Sequence, residues 1–330
     1  MSPLSCRAPH KPDGCHLQGG SVNIRSMYDA TVPVVENRPL TGGHFLLSLY
    51  SPRQAQATRA GQFAMLRLLG RSDVLLRRPM SIFNLLSGSA VSPSEPPGAS
   101  PAPTGRGQIT RRHHTLPPRV LTKPELIQLL YKAVGRGTRL MAELKPGDKV
   151  GLLAPLGHGF FAEEYMEQAR AAGEVLHVAG GIGIAALLLP ARELARAGIP
   201  QRLFFGGRTK ADLVGLEEFR PSVTATLLAT EDGSRGHHGY VTGPLEGHLE
   251  RHRNKKFLLM VCGPWAMLEA SVELARRYGH PCLVSMENRM GCALGVCLGC
   301  SIRVVGEGHG AYQRVCTEGP VFWSDKVVWH

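Results

Sequence analysis

Acid–base machinery is missing from this sequence. Its 14 histidines are scattered over 330 residues, with no His-Glu-x-x-His pair and no Gly-x-Ser-x-Gly elbow. A zinc peptidase and an α/β-hydrolase are therefore excluded. Long apolar runs are missing too. The longest, Ile182–Pro190, falls far short of the ~18 residues a membrane helix needs. Residues 1–20 hold no apolar core of a signal peptide, so a cytoplasmic chain with no membrane partner is expected. Cysteine is sparse, at eight residues in 330, which excludes a secreted disulfide scaffold. Charge is modest at 19%, and 43% of the chain is apolar, enough for packed cores and too much for a wholly disordered chain. The length suggests about two domains.

The net charge of +12 would by itself suggest nucleic acid or an anionic surface. Its location argues otherwise. Residues 1–150 hold 20 Lys and Arg against 8 Asp and Glu, whereas residues 151–330 hold 18 of each. The cysteines are equally uneven. Cys6 and Cys15 lie near the start, and the other six follow residue 260.

Residues 1–20 read as a flexible tail, and the spacing of Cys6, His10, Cys15 and His16 fits no standard metal pattern. Short β runs follow: 21–36, 44–50 and 61–66, then 126–132 and 149–154, with turn signals between them. This is the pattern of a small antiparallel barrel. Residues 87–119 interrupt it with 7 Pro, 5 Ser and 4 Gly among 33 residues, and read as a disordered insertion. From Glu174 apolar strands alternate with helical segments: strands over 175–179, 202–205, 225–229 and 257–261, helices over 187–197 and 267–278. That is the signature of a parallel sheet covered by helices. The fold class is therefore α+β and α/β multidomain. The expected divisions are a tail (1–20), an antiparallel β-barrel (21–155), a Rossmann-like parallel-sheet domain (156–284) and a small cysteine-rich module (285–330).

The strongest chemical signal is Cys292-x4-Cys297-x2-Cys300, with Cys316 further on. This is the plant-type [2Fe-2S] spacing. Gly291, Gly295 and Gly299 permit the unusual dihedrals of a tight loop and leave backbone N–H groups free to approach sulfur. A structural Zn(Cys)4 site is the plainer alternative, although zinc sites usually pair two short spacings. Cys262 and Cys282 read as small buried residues. The second signal is the strand Val175–Ala179 followed by Gly180-Gly181-Ile182-Gly183, where Gly181-x-Gly183-x-x-Ala186 satisfies G-x-G-x-x-A ahead of a helix. Such glycines let backbone N–H groups reach a pyrophosphate. The next strand ends in Gly206-Gly207-Arg208 rather than in an acid, which leaves NAD against NADP open. The third signal is Arg77-Arg78-Pro79-Met80-Ser81, read as the end of a barrel strand; Arg suits a bidentate pyrophosphate contact. Gly135, Gly137 and Thr138 add a second group able to bind phosphate. His177, inside an expected buried strand, reads as core. A redox carrier needs no acid–base constellation, because hydride and electron transfer are cofactor chemistry.

Taken in this order, the chain resembles the ferredoxin reductase superfamily, and within it the electron transfer subunits of class B dihydroorotate dehydrogenase. The resemblance covers about 22–86 and 120–330. It is carried by Arg78–Ile82, Tyr131–Thr138, Pro155–Phe160, Ala179–Gly183, Thr230–Ser234, Cys262–Pro264, the cysteine loop and Tyr312–Phe322. The insertion, the tail and the basic first half depart from it, and Met80 stands where many superfamily relatives carry Tyr.

The resemblance implies that Arg78, Pro79, Met80 and Ser81 hold FAD, with Arg78 on the pyrophosphate and Ser81 beside the isoalloxazine. Leu130, Tyr131 and Lys132 would line the flavin, and Gly137 and Thr138 its phosphates. Gly180, Gly181 and Gly183 would receive NAD as substrate, with Thr230, Asp232, Cys262, Gly263 and Pro264 flanking the nicotinamide. Cys292, Cys297, Cys300 and Cys316 would bind the [2Fe-2S] cluster. The implied partner is an FMN-containing dihydroorotate dehydrogenase catalytic subunit, in a heterotetramer of two of each, with no nucleic acid and no membrane. Electrons would pass from FMN through the cluster to FAD and on to NAD+ in pyrimidine biosynthesis. A related reductase, such as a subunit of a sulfide dehydrogenase or a ferredoxin:NADP oxidoreductase, shares the same build.

Overall fold

A computed structural model describes residues 27–71, 73–87, 123–160, 163–306 and 311–329. The expected tail over 1–20 and residues 88–119 of the expected insertion lie outside them. Six strands close into an antiparallel barrel: β1 (Tyr28–Pro39), β2 (His44–Tyr50), β3 (Phe63–Leu68), β4 (Arg78–Leu86), β5 (Leu126–Lys132) and β6 (Lys149–Leu156). Their order is β1-β2-β5-β4-β3-β6. Two short helices join them, α1 (Pro52–Ala57) and α2 (Arg136–Ala142). The barrel is filled from every strand; Leu47, Leu49, Leu66, Ile127, Leu129, Val150 and Leu152 are all without solvent exposure. Each such side chain contributes about 1.5–3 kcal/mol on burial.

Two details of the barrel matter for the site. Residues Arg78–Ser81 were expected to end a strand, but Arg78 opens β4 instead. Pro79, which has no N–H for the ladder, sits in that first turn of pairing opposite Met65. The long connection 87–124 joins β4 to its hydrogen-bonded neighbour β5, where Leu86 pairs with Leu126 and Glu125 N donates to Leu86 O at 2.8 Å. Because closure entropy grows slowly with loop length, so long an insert is tolerated between two paired strands.

The chain then builds a seven-stranded sheet. Its strands are β7 (Val175–Gly180), β8 (Gln201–Gly207), β9 (Ala225–Thr230), β10 (His237–His238), β11 (Leu258–Cys262) and β12 (Cys282–Ser285), with a late strand, β15 (Val321–Trp323). Helices α3 (Glu163–Ala172), α4 (Leu188–Arg196), α5 (Leu216–Phe219), α6 (Thr242–Arg251) and α7 (Trp265–Arg277) connect them. The order is β10-β9-β8-β7-β11-β12-β15, parallel except for β15. Every residue of β7 and β11 is buried, as strands covered on both faces require. α4 and α7 each turn an apolar stripe inward, Leu188, Ala191 and Leu194 on one and Leu268, Val272 and Ala275 on the other.

Strand order reverses between β7 and β11, so a crevice opens at their carboxyl ends, the usual ligand position in such sheets. The glycine turn after β7 was expected to lead straight into a helix. It forms instead a tight 3-10 helix, Gly181–Ala186, before α4 begins. This brings Gly183 so close to β11 that a Cβ there would stand 2.4 Å from the Cys262 carbonyl oxygen.

Between β12 and β15 the chain makes the cysteine loop and a small hairpin, β13 (Ser301–Arg303) with β14 (Tyr312–Arg314). The Pro155–Phe160 segment ties this module to the barrel. His158 N donates to Gly319 O at 2.6 Å, its Nδ1 lies 2.7 Å from Thr317 O, and Val321 N donates back to His158 O. Gly157, at φ +75°, has no room for a side chain against Gly319 and Pro320. Among the described residues no helix is long and apolar enough to cross a membrane.

Candidate functional site

A cavity of about 830 Å³ lies where the barrel meets the crevice of the sheet. From the barrel, Pro79, Met80 and Ser81 at the start of β4 and Leu130, Tyr131 and Lys132 at the end of β5 line it, with Thr138 beyond. Antiparallel neighbours put one strand's start beside the other's end, and this unites the two motifs. Arg78 does not line the cavity itself. Its guanidinium lies directly on Gly137, where a Cβ would stand 2.2 Å from Nε, and it donates to the Leu76 carbonyl. Only glycine admits this contact. The Thr138 hydroxyl is spent on the loop: it accepts from Val134 N and Gly135 N at 3.0 Å and donates to Gly135 O. The Tyr131 ring stacks on Phe45, its hydroxyl donates to Asn37, and burial pushes it up to about 12. Lys132 pairs with Asp212 of the sheet domain, and so bridges the two walls. Asp212 remains below its ordinary value because the bonds and charge of Lys132, with help from Thr209 and Arg208, outweigh burial.

On the sheet side Gly180, Gly181 and Pro264 line the cavity. Gly181, at φ +51°, faces open space. Gly180, Gly183 and Gly263 make the close approach between the two turns; a Cβ on Gly263 would stand 3.0 Å from Gly180 N. Cys262 is buried, and its thiol is raised by desolvation. Thr230 and Asp232 do not reach the cavity. The Thr230 hydroxyl accepts from Arg235 N and donates to Arg235 O, and the exposed Asp232 holds Ser234. Between them they shape the turn that carries Glu231, which does line the cavity.

Several lining residues escaped sequence reasoning. Glu231 directly follows β9 and Glu287 lies two residues after β12, positions where the carboxyl ends of parallel strands face the crevice. That rule was the available signal. Glu287 has no ion-pair partner among the described residues, and desolvation raises its carboxyl above the ordinary value. His44, Asp212, Tyr240 and Asn288 also line the cavity, and no local pattern marks them. Burial, first, and the Lys132 charge lower the His44 imidazole, against the pull of the Thr41 carbonyl.

The four cysteines of the spacing motif are all free thiols, and they fall between Met290 and Pro320, which both line the cavity. Cys297 lies beside Cys292, and Cys316 lies beside Cys300 and within electrostatic reach of Cys292. Among the described residues no three His, Cys, Asp or Glu converge as ligands of a single ion. Four thiols in the plant-type spacing form a donor set that fits a [2Fe-2S] cluster. Ala293 and Leu298, both at φ 57°, and Gly295 at 77° take left-handed conformations that turn backbone N–H groups inward. The Cys292 sulfur accepts from Leu294 N at 3.3 Å and Cys297 N at 3.4 Å. Burial alone would raise this thiol, but those N–H groups bring it down to about 7. Cys316, more enclosed and beside Cys300, is pushed up to about 12.

Known proteins are similar to this chain along most of its length. A protein 33% identical over 89% of this chain and 96% of its own length is the dihydroorotate dehydrogenase B (NAD(+)) electron transfer subunit of Geobacillus thermodenitrificans. The subunit of the same name from Desulforamulus reducens is 30% identical over 86% of this chain and 92% of its own. The chain belongs to this family. Its iron–sulfur cluster binding domain, as described for dihydroorotate dehydrogenase B, matches residues 287–328 and so includes all four thiols. The oxidoreductase NAD-binding domain matches 177–273, from β7 to α7. Among solved structures, an NADH-dependent reduced ferredoxin-NADP oxidoreductase superposes with TM-score 0.66 at 26% identity, over 91% of this chain and 90% of that one. A ferredoxin NADP+ reductase from Neisseria gonorrhoeae shares the fold at 13% identity and TM-score 0.52, over 76% and 92%. This dihydroorotate dehydrogenase B family member therefore combines a ferredoxin-reductase fold with a C-terminal cluster-binding domain.

Proposed function

We propose that this chain is the electron transfer subunit of an NAD+-dependent dihydroorotate dehydrogenase in pyrimidine biosynthesis, with FAD and a [2Fe-2S] cluster as resident groups. The observation that carries the reading is the seating of the cysteine module. Met290, two residues before Cys292, and Pro320, four after Cys316, both line the 830 Å³ cavity, so the segment that carries the thiols reaches the wall of the flavin and nicotinamide space at both its ends. A flavin held there would supply both one-electron and hydride chemistry, which is the cofactor's own.

The residues of the chain bind and orient. Pro79, Met80, Ser81, Leu130, Tyr131 and Lys132 supply the flavin wall, and Arg78 packed on Gly137, with Thr138 folding the loop, supplies the pyrophosphate seat. Gly180, Gly181, Gly183, Cys262, Gly263 and Pro264 form the close-packed floor for the dinucleotide. Thr230 and Asp232 act one step back, by shaping the turn of Glu231. The NAD(+) in the names of the relatives supports NAD over NADP. Cys292 with Cys297, and Cys300 with Cys316, hold the cluster. In this reading residues 21–155 serve FAD, 156–284 NAD and 285–330 the cluster.

The partner is an FMN-containing catalytic subunit in a cytoplasmic assembly of two of each. Co-expression with such a subunit tests the proposal. The complex is expected to reduce NAD+ with dihydroorotate, and the chain alone to show flavin and iron–sulfur absorbance but no dihydroorotate oxidation. Oxidation by the chain alone, or zinc in place of iron, would overturn it.

A further inference from the structure

Arg314 ends β14 two residues before Cys316, and Glu318 stands two residues after it. The pair brackets the fourth thiol. Glu318 Oε2 accepts from the Arg314 main-chain N at 2.6 Å and from its Nε at 3.0 Å. Oε1 accepts from Arg314 Nη2 and from the Thr317 hydroxyl. The remaining arm, Nη1, donates to the Gly295 carbonyl at 2.9 Å. Gly295 is a left-handed residue between Cys292 and Cys297, and a Cβ there would stand 2.9 Å from Nη1. One guanidinium thus touches both halves of the thiol set, the loop from behind and the Cys316 turn from the side. The pair is about one-third exposed, 36% for Arg314 and 28% for Glu318. At such exposure an ion pair adds only about 0–1 kcal/mol to stability. Its place matters more than its energy.

We propose that Arg314 is a positioning residue for the cysteine loop, and that Arg314 and Glu318 set the reduction equilibrium at the four thiols by opposing charge. The proposal rests on the cluster assigned above. Each electron taken up there adds one negative charge beside the guanidinium, and no bond or proton need change. The nearby cation favours that charge, and the carboxylate in the fork restrains the cation. Removing either partner should therefore move the equilibrium in opposite directions, a result that a purely mechanical clamp cannot produce.

The test is a redox titration of the cluster by electron paramagnetic resonance, in the full chain purified with its flavin, alongside iron and sulfide analysis. Glu318→Gln keeps the shape and frees the cation, so the ratio of reduced to oxidised cluster at a fixed potential should rise roughly fivefold. Arg314→Gln leaves the carboxylate alone and should lower that ratio by a similar factor. Arg314→Lys keeps the charge and loses the fork, so its ratio should stay near wild type while cluster content falls. Unmoved ratios, or shifts of the same sign in the two neutral variants, would overturn the proposal. Loss of the cluster from Glu318→Gln would also overturn it, in favour of a clamp alone. A wild-type chain without iron would instead sink the assignment of the cluster itself.

Discussion

The interior of the seven-stranded sheet and the cysteine loop treat the same side chain in opposite ways. In the sheet, Cys262 and Cys282 end β11 and begin β12, fully enclosed, and desolvation raises both thiols, Cys282 to about 12. In the loop, Cys297 is exposed, and the Cys292 sulfur receives two backbone N–H groups that bring it down to about 7. Desolvation opposes charge of either sign: one strand away from Cys262, it lowers the His177 imidazole to about 4, against the bond to Gln201. Thiol chemistry here is thus a contest between desolvation and backbone N–H groups: the N–H groups win at Cys292, whereas at Cys316 burial and the neighbouring Cys300 win.

The strongest way to break this contrast is to remove cysteines. Cys300→Ala or Cys316→Ala should abolish iron binding, measured by metal analysis, whereas Cys262→Ala and Cys282→Ala should leave iron content unchanged. Iron loss from the second pair of variants would place the metal in the sheet. A pH series sharpens the contrast next. His177 binds fewer protons folded than unfolded, because its folded value lies near 4 and its ordinary value is 6.5. Its contribution is complete above pH 6.5 and fades as pH falls towards 4, by up to about 3 kcal/mol. Urea midpoints measured between pH 7 and 4 should fall accordingly, and His177→Gln should flatten the slope. Gly183→Ala comes third. Its Cβ would meet the Cys262 backbone, so we expect a loss of about 1–3 kcal/mol in thermal melts and weaker NAD binding. The smallest effect is kinetic. In the metal-free chain a bulky maleimide should label Cys297 well before Cys262 or Cys282, as mass spectrometry of timed digests would show.

The parts of this molecule legible in its sequence are those that depend on near neighbours. The cysteine spacing is local, and so is the alternation of apolar runs and turns that marks β2 and β5, whose limits match the expected 44–50 and 126–132. The direction of approach to Arg78–Ser81 was not legible, because a strand's start and end look alike when Pro and Arg occupy either. β15 has three residues, too few for any period, and is defined only by its pairing with β12. Most of the site is non-local. Lys132 meets Asp212 across 80 residues, and Arg78 lies on Gly137. Such contacts are made by barrel closure and strand order, which no short window contains.

The return of the chain through β15 gives the cysteine module a particular mechanical character. It is spliced into the sheet at both ends, by β12 before and β15 after, and pinned to the barrel through His158. It is a span between two abutments rather than a pendulum on a tether. The probability of an electron jump falls off exponentially with the gap, so a swinging carrier would have to wait for favourable excursions. Here the gap belongs to the masonry of the fold, and transfer across it should be indifferent to solvent viscosity.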